Sequence, residues 1–450
     1  GLARLANPGS YVTARLFGSR NYGLCADDSD VDISVSVSSQ RNSGKSTFFR
    51  DLARLLERAA GFVRVIDISH ARVPIIKFVY VSPQSRTRLE GDISLNGSKG
   101  LAKSRLVATY LDLDPRVRQV LSMLKLWAMR RNITVNTTLN SFGLLMMGLA
   151  FLISRRVVPP LQLLATGQVS PQAWARLTRI QHSPFEIAKL YPAYLAGTTD
   201  ATAAAVTAAA AAQAMGGSAR CLESGVDLPE WPVEGTRAYY LNGGRLHRTW
   251  QSPNQSSSAA LLFELFRYYG FEFNPRLHAI STRLGATDIP RASLPHLAPP
   301  IDPSLTIAEP NKWRNGLRLL AIEDPFDLTV NCGRSAPPEW VEGLLWEMRR
   351  AAWTLVQRNQ PPLDRLLLEP SDKIYRDPGI WASAYHRAFE PPLPKPIQPV
   401  FVPAVDGVPE HTVDLEALEN AQLAGPNKRP RPSAAKPAAA PAAGQMRQTF

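Results

Sequence analysis

The chain of 450 residues is long enough for about two or three domains, each with its own hydrophobic core. Its 51 Lys and Arg against 38 Asp and Glu give a formal net charge of +13, which favours a polyanionic partner such as nucleic acid or a charged membrane surface. It has no run of about 18 apolar residues and no secretory signal pattern, so we expect a soluble intracellular protein. The three cysteines form no CxxC pair, which argues against a zinc site or a disulfide framework.

The first hundred residues combine strand patterns with one helix. The alternating segment "VDISVSV" predicts a strand, and "RDLARLLERAAGF" carries apolar residues at helical spacing. After the helix, the apolar runs "VRVID" and "VPIIKFVYV" and the short segment "LEGDISLN" predict three further strands. This part of the chain is therefore expected to form a small α/β unit.

The rest of the chain is predominantly helical in pattern. "RVRQVLSMLKLWAMRR", "SSAALLFELFRYYGFEF" and "PPEWVEGLLWEMRRAAWTLVQR" have helical periodicity, and "LNSFGLLMMGLAFLISRR" is apolar on nearly every side, as a buried helix is. An Ala-rich low-complexity insertion lies at about 198–217, and Pro-rich segments around 289–303 and 391–403 predict extended connections. The basic segment 426–450 has the composition of a disordered tail.

Two carboxylates stand at the start of the alternating strand. Asp30 and Asp32 are two residues apart, so in a strand their side chains lie on the same face. Such a pair repels itself unless a cation is bound, and hard divalent ions take oxygen ligands. Asp92, in "GDIS", heads a second short strand and offers a third carboxylate. Two metal ions about 4 Å apart stabilise the attacking and leaving oxygens of a phosphoryl displacement.

The turn before these carboxylates supplies groups that suit a phosphate. Gly18 allows backbone amides to approach a phosphate closely, and Ser19 adds a hydroxyl donor. Together with the carboxylates, the turn predicts a nucleoside triphosphate site. Without this spacing, two Asp residues on a strand are more often solvated polar positions than metal ligands.

The spacing of these motifs carries a resemblance to a known family. "FGSRNYGL", then "SDVDISV" and "GDIS" resemble the polymerase-β-like nucleotidyltransferase pattern. Further along, "DPRVRQVLSMLKLWAMRRNI", "LNSFGLLMMGLAFLI", "LLFELFRYYGFEF" and "LAIEDPFDLTVNCGRS" resemble the template-independent RNA terminal nucleotidyltransferases. That family holds cytoplasmic poly(A) polymerases, poly(U) polymerases and fungal CUCU-tagging enzymes. The resemblance covers most of the chain from about residue 12 to residue 355.

The resemblance implies an α+β fold. We expect a nucleotidyltransferase palm of mixed strands backed by helices, a mostly helical central domain, and an active site in the cleft between them. The implied divisions are a catalytic domain at 1–100, a central domain with the poly(A)-polymerase-associated segment at 101–360, a Pro-rich extension at 361–425 and the basic tail at 426–450.

The resemblance also implies a role for each matching residue. Asp30, Asp32 and Asp92 bind two Mg²⁺ ions, which Mn²⁺ can replace, and Asp92 helps to activate the RNA 3′-hydroxyl. The nucleotide-binding positions are Gly18, Ser19, Lys125, Ser141, Phe142, Asp324, Asp327 and Asn331. Within this set Lys125 contacts the β and γ phosphates and Phe142 stacks on the base. Outside the motifs, Lys125 would be a solvated residue, Ser141 a helix cap and Phe142 a core aromatic.

Departures from the family pattern bear on the choice of base and sugar. Uridylyltransferases often have His where this chain has Val330, and many members have Asn where a gapless alignment places Lys103. Asn96 is a candidate for distinguishing ribose from deoxyribose. These departures favour a relaxed or pyrimidine-leaning enzyme that adds CMP and UMP and also accepts AMP. A dedicated poly(A) polymerase is the alternative.

We expect an enzyme that adds ribonucleotides from nucleoside triphosphates to RNA 3′ ends, releases pyrophosphate and affects RNA turnover. Its partners are single-stranded RNA 3′ ends and nucleoside triphosphates, with no membrane, and its location is cytoplasmic, with the nucleus as the alternative. Scattered Lys and Arg must bind RNA phosphates, since no RNP, KH or zinc-knuckle motif is present. The rivals are an inactive RNA-binding scaffold and a small-molecule or second-messenger transferase, against which "FELFRYYGFEF" and "IEDPF" argue.

Overall fold

The fold is described from a computed structural model. It describes residues 11–26, 29–38, 45–71, 74–95, 97–134, 138–165, 226–227, 240–241, 246–247, 250–291, 319–328, 330–356 and 366–367. Several predictions concern residues outside these ranges, namely Asn96, the Ala-rich insertion, most of the first Pro-rich segment, all of the second, and the basic tail.

A five-stranded mixed sheet forms the N-terminal part of the described chain. Its strands are β1 (Tyr11–Phe17), β2 (Val31–Ser38), β3 (Phe62–Ile68), β4 (Ile75–Val81) and β5 (Arg88–Leu95). The spatial order is β1-β2-β5-β4-β3, and β2 and β5 run parallel while the other neighbours are antiparallel. The predicted mixed sheet is thus confirmed, and β1 is a strand that the sequence patterns did not identify.

Two helices lie between the strands of this sheet. They are α1 (Ser19–Tyr22) and α2 (Lys45–Glu57). Helix α2 buries Phe49 and Leu52 in one hydrophobic cluster with Ile76 and Ile93 of the sheet. This cluster is separate from the cluster of the helical part, so the sheet and α2 have a core of their own.

The second part of the described chain is helical. Its helices are α3 (Ser98–Leu113), α4 (Pro115–Arg130), α5 (Ser141–Ser154), α6 (Leu161–Leu164), α7 (Ser258–Arg267) and α8 (Pro338–Val356), and a π-helical turn (Tyr268–Glu272) extends α7. Every residue from Gly143 to Ile153 in α5 is buried, as the all-apolar pattern predicts. None of the described helices is long and apolar enough to cross a membrane.

Two small antiparallel pairs complete the described structure. They are β6 (Val226–Asp227) with β7 (Tyr240–Leu241), and β8 (His278–Ser281) with β9 (Ala286–Pro290). A second, larger hydrophobic cluster joins the helices and the β8-β9 hairpin. The separate sheet and helix cores confirm the predicted α+β class. The predicted domain boundary at residue 100 lies inside α3, and the division into domains stays a prediction.

Helix α3 was not predicted, and Gly100 explains why. A glycine and scattered polar residues weaken the helical pattern of this segment. In the fold, a Cβ at Gly100 would lie 2.8 Å from the ring of Phe17, so the glycine allows α3 to pack closely on β1. Because this close packing requires a glycine in α3, the helical pattern of the segment is weaker in the sequence.

A buried ion cluster joins the end of α4 to α8. Glu347 accepts two hydrogen bonds from Arg131, each 2.9 Å long, and a third of 2.9 Å from Arg350. Burial alone would raise the pKa of Glu347, but Arg350 and Arg131 together hold it below its usual value. The cluster is therefore charged in the folded protein and fixes the two helices to each other.

Candidate active site

Two of the three predicted metal ligands lie side by side on neighbouring strands of the sheet. Asp32 of β2 and Asp92 of β5 are direct register partners in the parallel pair. Burial raises the pKa of Asp32 to about 6, and the negative charges of Asp92 and Asp30 contribute to the increase. The part of the increase that comes from Asp92 and Asp30 is a repulsion between neighbouring carboxylates, which a bound cation relieves.

Asp30 occupies a different position from the one its spacing predicts. Strand β2 begins at Val31, so the exposed Asp30 lies just before the strand rather than within it. Its charge still acts on Asp32, as the pKa of that carboxyl shows. Asp30 therefore acts on Asp32 from a position just before β2 and not from within the strand.

Gly18 lies directly against the Asp32 carboxylate. Its backbone has φ 73° and ψ −165°, a region that is essentially restricted to glycine. A Cβ at this position would lie 2.0 Å from Oδ2 of Asp32. The Gly18 N–H donates a hydrogen bond of 2.7 Å to Oγ of Ser104 on α3. Glycine is therefore required here by both backbone and space, and Ser19 follows as the first residue of α1.

Ser104, which holds the Gly18 turn, and Lys77, which holds the Asp92 carboxylate, were not identified from the sequence. Ser104 positions the Gly18 backbone, but it lies in the helix that had no clear pattern. Lys77 of β4 is the register partner of Asp92, and its Nζ lies 3.0 and 3.1 Å from the two carboxylate oxygens. Neither contact has a local sequence signal, because each depends on which elements become neighbours.

Lys125 of α4 lies on the carboxylate side of the site. Its Nζ donates a hydrogen bond of 2.7 Å to the carbonyl of Leu24, in the loop after α1. Its positive charge lowers the pKa of Asp32, which places the ammonium close to that carboxylate. Arg118, about two helical turns before Lys125 on α4, donates to the carbonyls of Tyr22 and Gly23. Helix α4 thus lines the loop with positive charge.

The start of α5 forms the second side of the site. The cap of α5 is Asn140, whose side chain accepts a hydrogen bond of 2.8 Å from the N–H of Gly143. The alternative interpretation of Ser141 as the cap is therefore wrong, and Ser141 is the first residue of the helix. Phe142 is partly buried against the helical core, and Nζ of Lys103 lies 4.8 Å from the centre of its ring.

Two ion pairs join α3 to the segment that contains Asp324 and Asp327. Lys103 pairs with Asp324, and Nζ of Lys99 lies 2.6 Å from Oδ2 of Asp327. The Asp324 side chain is only 1% exposed, and its Oδ1 also accepts from the backbone N–H groups of Phe326 and Asp327. Asp324 therefore shapes its own loop and at the same time fixes the Lys103 ammonium above Phe142.

Asn331 and Val330 lie in the next turn of the same segment. Oδ1 of Asn331 accepts from the N–H groups of Ile322 and Gly333, at 3.0 and 2.8 Å. Its Nδ2 donates to the carbonyl of Leu320 at 2.9 Å. The carbonyl of Val330 accepts from the Asp324 N–H. In this state the Asn331 amide holds backbone together, and its predicted contact with a nucleotide stays a prediction.

Helix α3 connects the two sides of the site. Ser104 holds the Gly18 turn beside the carboxylates, while the adjacent Lys103 lies over Phe142 and pairs with Asp324. The structure thus brings the predicted residues together in two groups, one around Asp32 and one around Phe142. The two groups meet where the sheet contacts the helical part.

The carboxylates suit a hard divalent cation. Carboxylate oxygens are the ligands that Mg²⁺ and Mn²⁺ prefer. Burial is the main cause of the raised pKa of Asp32, and the charges of Asp92 and Asp30 add a repulsion that such a cation would remove. Among the described residues, however, no three His, Cys, Asp or Glu side chains converge at metal-binding distances. The bond between Asp92 and Lys77 accounts for part of this difference, because it directs the Asp92 carboxylate toward β4.

Family models match both parts of the chain. Residues 4–112 match the model described as "Poly(A) RNA polymerase, mitochondrial-like, central palm domain". Residues 258–330 match the model described as "Cid1 family poly A polymerase". The first match covers the sheet with its carboxylates, and the second covers the segment with Asp324 and Asp327.

Three known proteins are similar to this chain, over different lengths of it. Terminal uridylyltransferase 4 of Homo sapiens is 35% identical over 164 residues, which are 35% of this chain and 10% of that protein. Terminal uridylyltransferase cid1 of Schizosaccharomyces pombe is 24% identical over 372 residues, 78% of this chain and 71% of that protein. Poly(A) RNA polymerase cid13 of the same yeast is 30% identical over 162 residues, 35% of this chain and 27% of that protein.

The fold agrees with these matches. A crystal structure of the Cid1 poly(U) polymerase with MgGTP superposes with a TM-score of 0.57 at 23% identity, and the match covers 82% of this chain and 89% of that one. The matched region is only a tenth of the length of the uridylyltransferase 4 proteins. The two family-model matches and the shared fold confirm the resemblance seen in the motifs, which is to the template-independent RNA terminal nucleotidyltransferases.

Proposed function

We propose that this chain adds ribonucleotides from nucleoside triphosphates to the 3′ end of RNA without a template and releases pyrophosphate. The observation that carries the proposal is the pairing of Asp32 with Asp92 on adjacent parallel strands beneath the Gly18 turn. The relatives support it, since they are named as terminal uridylyltransferases and poly(A) RNA polymerases. The small-molecule transferase is disfavoured by the match of residues 258–330 to the Cid1 family model.

Asp30, Asp32 and Asp92 would hold the metal, which we propose to be two Mg²⁺ ions that Mn²⁺ can replace. Such ions, when bound, supply positive charge to the attacking and leaving oxygens of the transfer. Asp92 accepts the proton of the RNA 3′-hydroxyl or orients that hydroxyl toward the α-phosphate. Gly18 keeps the space beside Asp32 free of a side chain.

The triphosphate is bound by the turn and by α4. Ser19 donates its hydroxyl, Lys125 brings an ammonium to the β and γ phosphates, and Ser141 adds a hydroxyl from the start of α5. Support comes from the position of Lys125, whose charge already acts on Asp32.

Phe142 is the platform for the base. Stacking on an aromatic ring is worth about 1–3 kcal/mol per base and tolerates any base, so Phe142 alone does not select one. Selection is assigned to Lys103, which lies at that ring, and to Asp324, which holds it there. Asp327 fixes Lys99 in the same way, and Asn331 stabilises the turn behind them.

The chemistry of Lys103 favours pyrimidines. An ammonium offers three donors and no acceptor, so it rewards a base with a carbonyl oxygen at the facing edge. Uracil and cytosine have such an oxygen, while adenine has none. Val330 offers no side-chain hydrogen bond that would reward uracil over cytosine. We therefore assign CMP and UMP as preferred additions, with AMP accepted through stacking on Phe142.

The RNA partner is a single-stranded 3′ end bound through its phosphates. The net charge of +13 supports this assignment, because Lys and Arg contacts to phosphate bind without regard to sequence. Structures of Cid1 include one with its short product ApU and one with the UTP analogue UMPNPP, which supports RNA and nucleotide as the substrate classes here. One related enzyme is described as a cytoplasmic RNA terminal U-transferase, and we assign the same location to this chain.

The experiment that tests this function uses a labelled single-stranded RNA, Mg²⁺ and each nucleoside triphosphate separately. The products are resolved at single-nucleotide resolution. We expect ladders with CTP and UTP at least as strong as the ladder with ATP. A long ladder with ATP alone would instead make the protein a dedicated poly(A) polymerase. No extension with any of the four would contradict the proposed activity and favour an RNA-binding scaffold.

A further inference from the structure

We infer that Lys77 is a counter-ion built into the sheet, which competes with the divalent cation for Asp92 and so weakens metal binding. The inference rests on the proposed metal site and concerns how tightly that site binds its ion. Lys77 belongs to none of the motifs that define the site in sequence. Its place in the fold alone connects it to the carboxylates.

The sheet aligns three charged residues in one row. Lys77 on β4 is the register partner of Asp92 on β5, and Asp92 is the register partner of Asp32 on β2. Residues directly opposite each other on neighbouring strands have their side chains on the same face. The row therefore places the Lys77 ammonium, the Asp92 carboxylate and the Asp32 carboxylate side by side in that order.

The contact between Lys77 and Asp92 uses both oxygens of the carboxylate. The Nζ atom lies 3.0 Å from Oδ1 and 3.1 Å from Oδ2. These are the oxygens that a metal ion would take, so the ammonium and the ion compete for one ligand. The Lys77 side chain is 48% exposed, and it can therefore turn toward solvent when the ion binds.

The charge of Lys77 extends beyond its direct partner. Asp32 is the next residue in the same row, so the charge of Lys77 acts on both carboxylates. Without a metal, Lys77 thus relieves part of the repulsion between the carboxylates. With a metal, the same charge repels the ion. Removing it should have opposite effects on the two states, which an ordinary surface ion pair would not show.

The decisive variant is Lys77→Met, which keeps the length of the side chain and removes its charge. Coulomb's law in a solvent-like medium gives an effect on the order of tenfold for one charge removed beside a divalent ion. We therefore expect Mn²⁺ to bind roughly tenfold more tightly to the variant. The melting temperature without metal should fall by about 1–3 °C, since the carboxylates lose their neutralising partner.

The control is Arg88→Met, at the other end of the same strand pair. Arg88 and Glu90 form an exposed ion pair, with side-chain exposures of 61% and 55%, away from the carboxylates. We expect this variant to leave Mn²⁺ affinity unchanged. Lys77→Arg keeps the charge and should keep the affinity of the wild type. Asp92→Asn removes the shared ligand and should abolish or greatly weaken binding.

The readout is the dissociation constant of Mn²⁺, from the paramagnetic resonance of the free ion, together with melting temperature without metal. Tighter binding in Lys77→Met but not in Lys77→Arg or Arg88→Met supports the inference. Unchanged or weaker binding in Lys77→Met would overturn it, while loss of binding in Asp92→Asn would still support the proposed metal site. No Mn²⁺ binding to the wild type would overturn both.

Discussion

Substitution of Gly18 by Ala should abolish most of the activity while leaving the protein folded. A Cβ at this position would lie 2.0 Å from Oδ2 of Asp32 and 2.9 Å from its Cγ. Carbon and oxygen atoms do not approach closer than about 3 Å, so the carboxylate must move by about 1 Å. A misplacement of about 1 Å at a reacting centre costs on the order of a hundredfold in rate.

The backbone adds a cost in stability. Gly18 has φ 73° and ψ −165°, and a residue with a side chain held in such a region is strained by about 1–3 kcal/mol. Gly23→Ala is the matched control. Gly23 also has a positive φ of 72°, but its added Cβ would meet only the end of the Arg118 side chain, at 3.1 Å. We expect this variant to lose about 1 kcal/mol of stability and to keep its rate within about threefold.

Both variants are compared by urea unfolding and by the initial rate of single-nucleotide addition to RNA at saturating nucleotide. The account predicts a loss of stability of about 1–3 kcal/mol for Gly18→Ala and about 1 kcal/mol for Gly23→Ala, with a large loss of rate in Gly18→Ala alone. A Gly18→Ala protein whose rate is within about threefold of the wild type would refute the reasoning. So would equal losses of rate in the two variants, because the contact with Asp32 would then have no consequence of its own.

Three further predictions concern specificity, stability and pH. Lys103→Met should reduce the preference for CTP and UTP over ATP roughly tenfold in competition assays. The reason is the loss of a charge-assisted hydrogen bond to the base. An unchanged preference would show that Lys103 does not select the base. Glu347→Gln leaves the buried Arg131 without its counter-charge and should cost about 3–5 kcal/mol in urea unfolding, and a loss below about 1 kcal/mol would contradict this account. The folded pKa of Asp32 is about 6 against an ordinary 3.8, so its protonation stabilises the metal-free protein below pH 3.8 and this contribution is lost as the pH rises through 6. Melting curves across that range should show the loss in the wild type and not in Asp32→Asn.

The strand positions of Asp32 and Asp92, the proposed metal ligands on β2 and β5, were predictable because their signals are local. The alternation of "VDISV" places Asp32 in a strand, and the repeated Asp-Ile-Ser of Asp92 marks a second strand. That the two strands are neighbours and parallel cannot be read from either segment. Strand β2 begins at Val31, which is the register partner of Gly91 on β5, so a pairing distant in sequence leaves Asp30 just before the strand.

Ser104 and Lys77 were not predictable because each contacts a residue that is distant in the sequence. Ser104 bonds to Gly18 over 86 residues of sequence, and Lys77 meets Asp92 only through the order of the strands. The π-helical turn after α7 is a further example. Gly270 in this turn lies against α8, where a Cβ would be 2.7 Å from the backbone nitrogen of Arg349. Its geometry follows from that close packing, and the apolar pattern of the segment predicted only a continuous helix.

The most direct test of the central claim compares the wild type with Asp92→Ala. Labelled single-stranded RNA is incubated with Mg²⁺ and UTP or CTP, and unfolding of both proteins is measured in parallel. The account predicts a ladder of extended RNA for the wild type and none for the variant, although both proteins unfold at similar urea concentrations. Extension at the wild-type rate by Asp92→Ala would contradict the claim that these paired carboxylates carry the transfer.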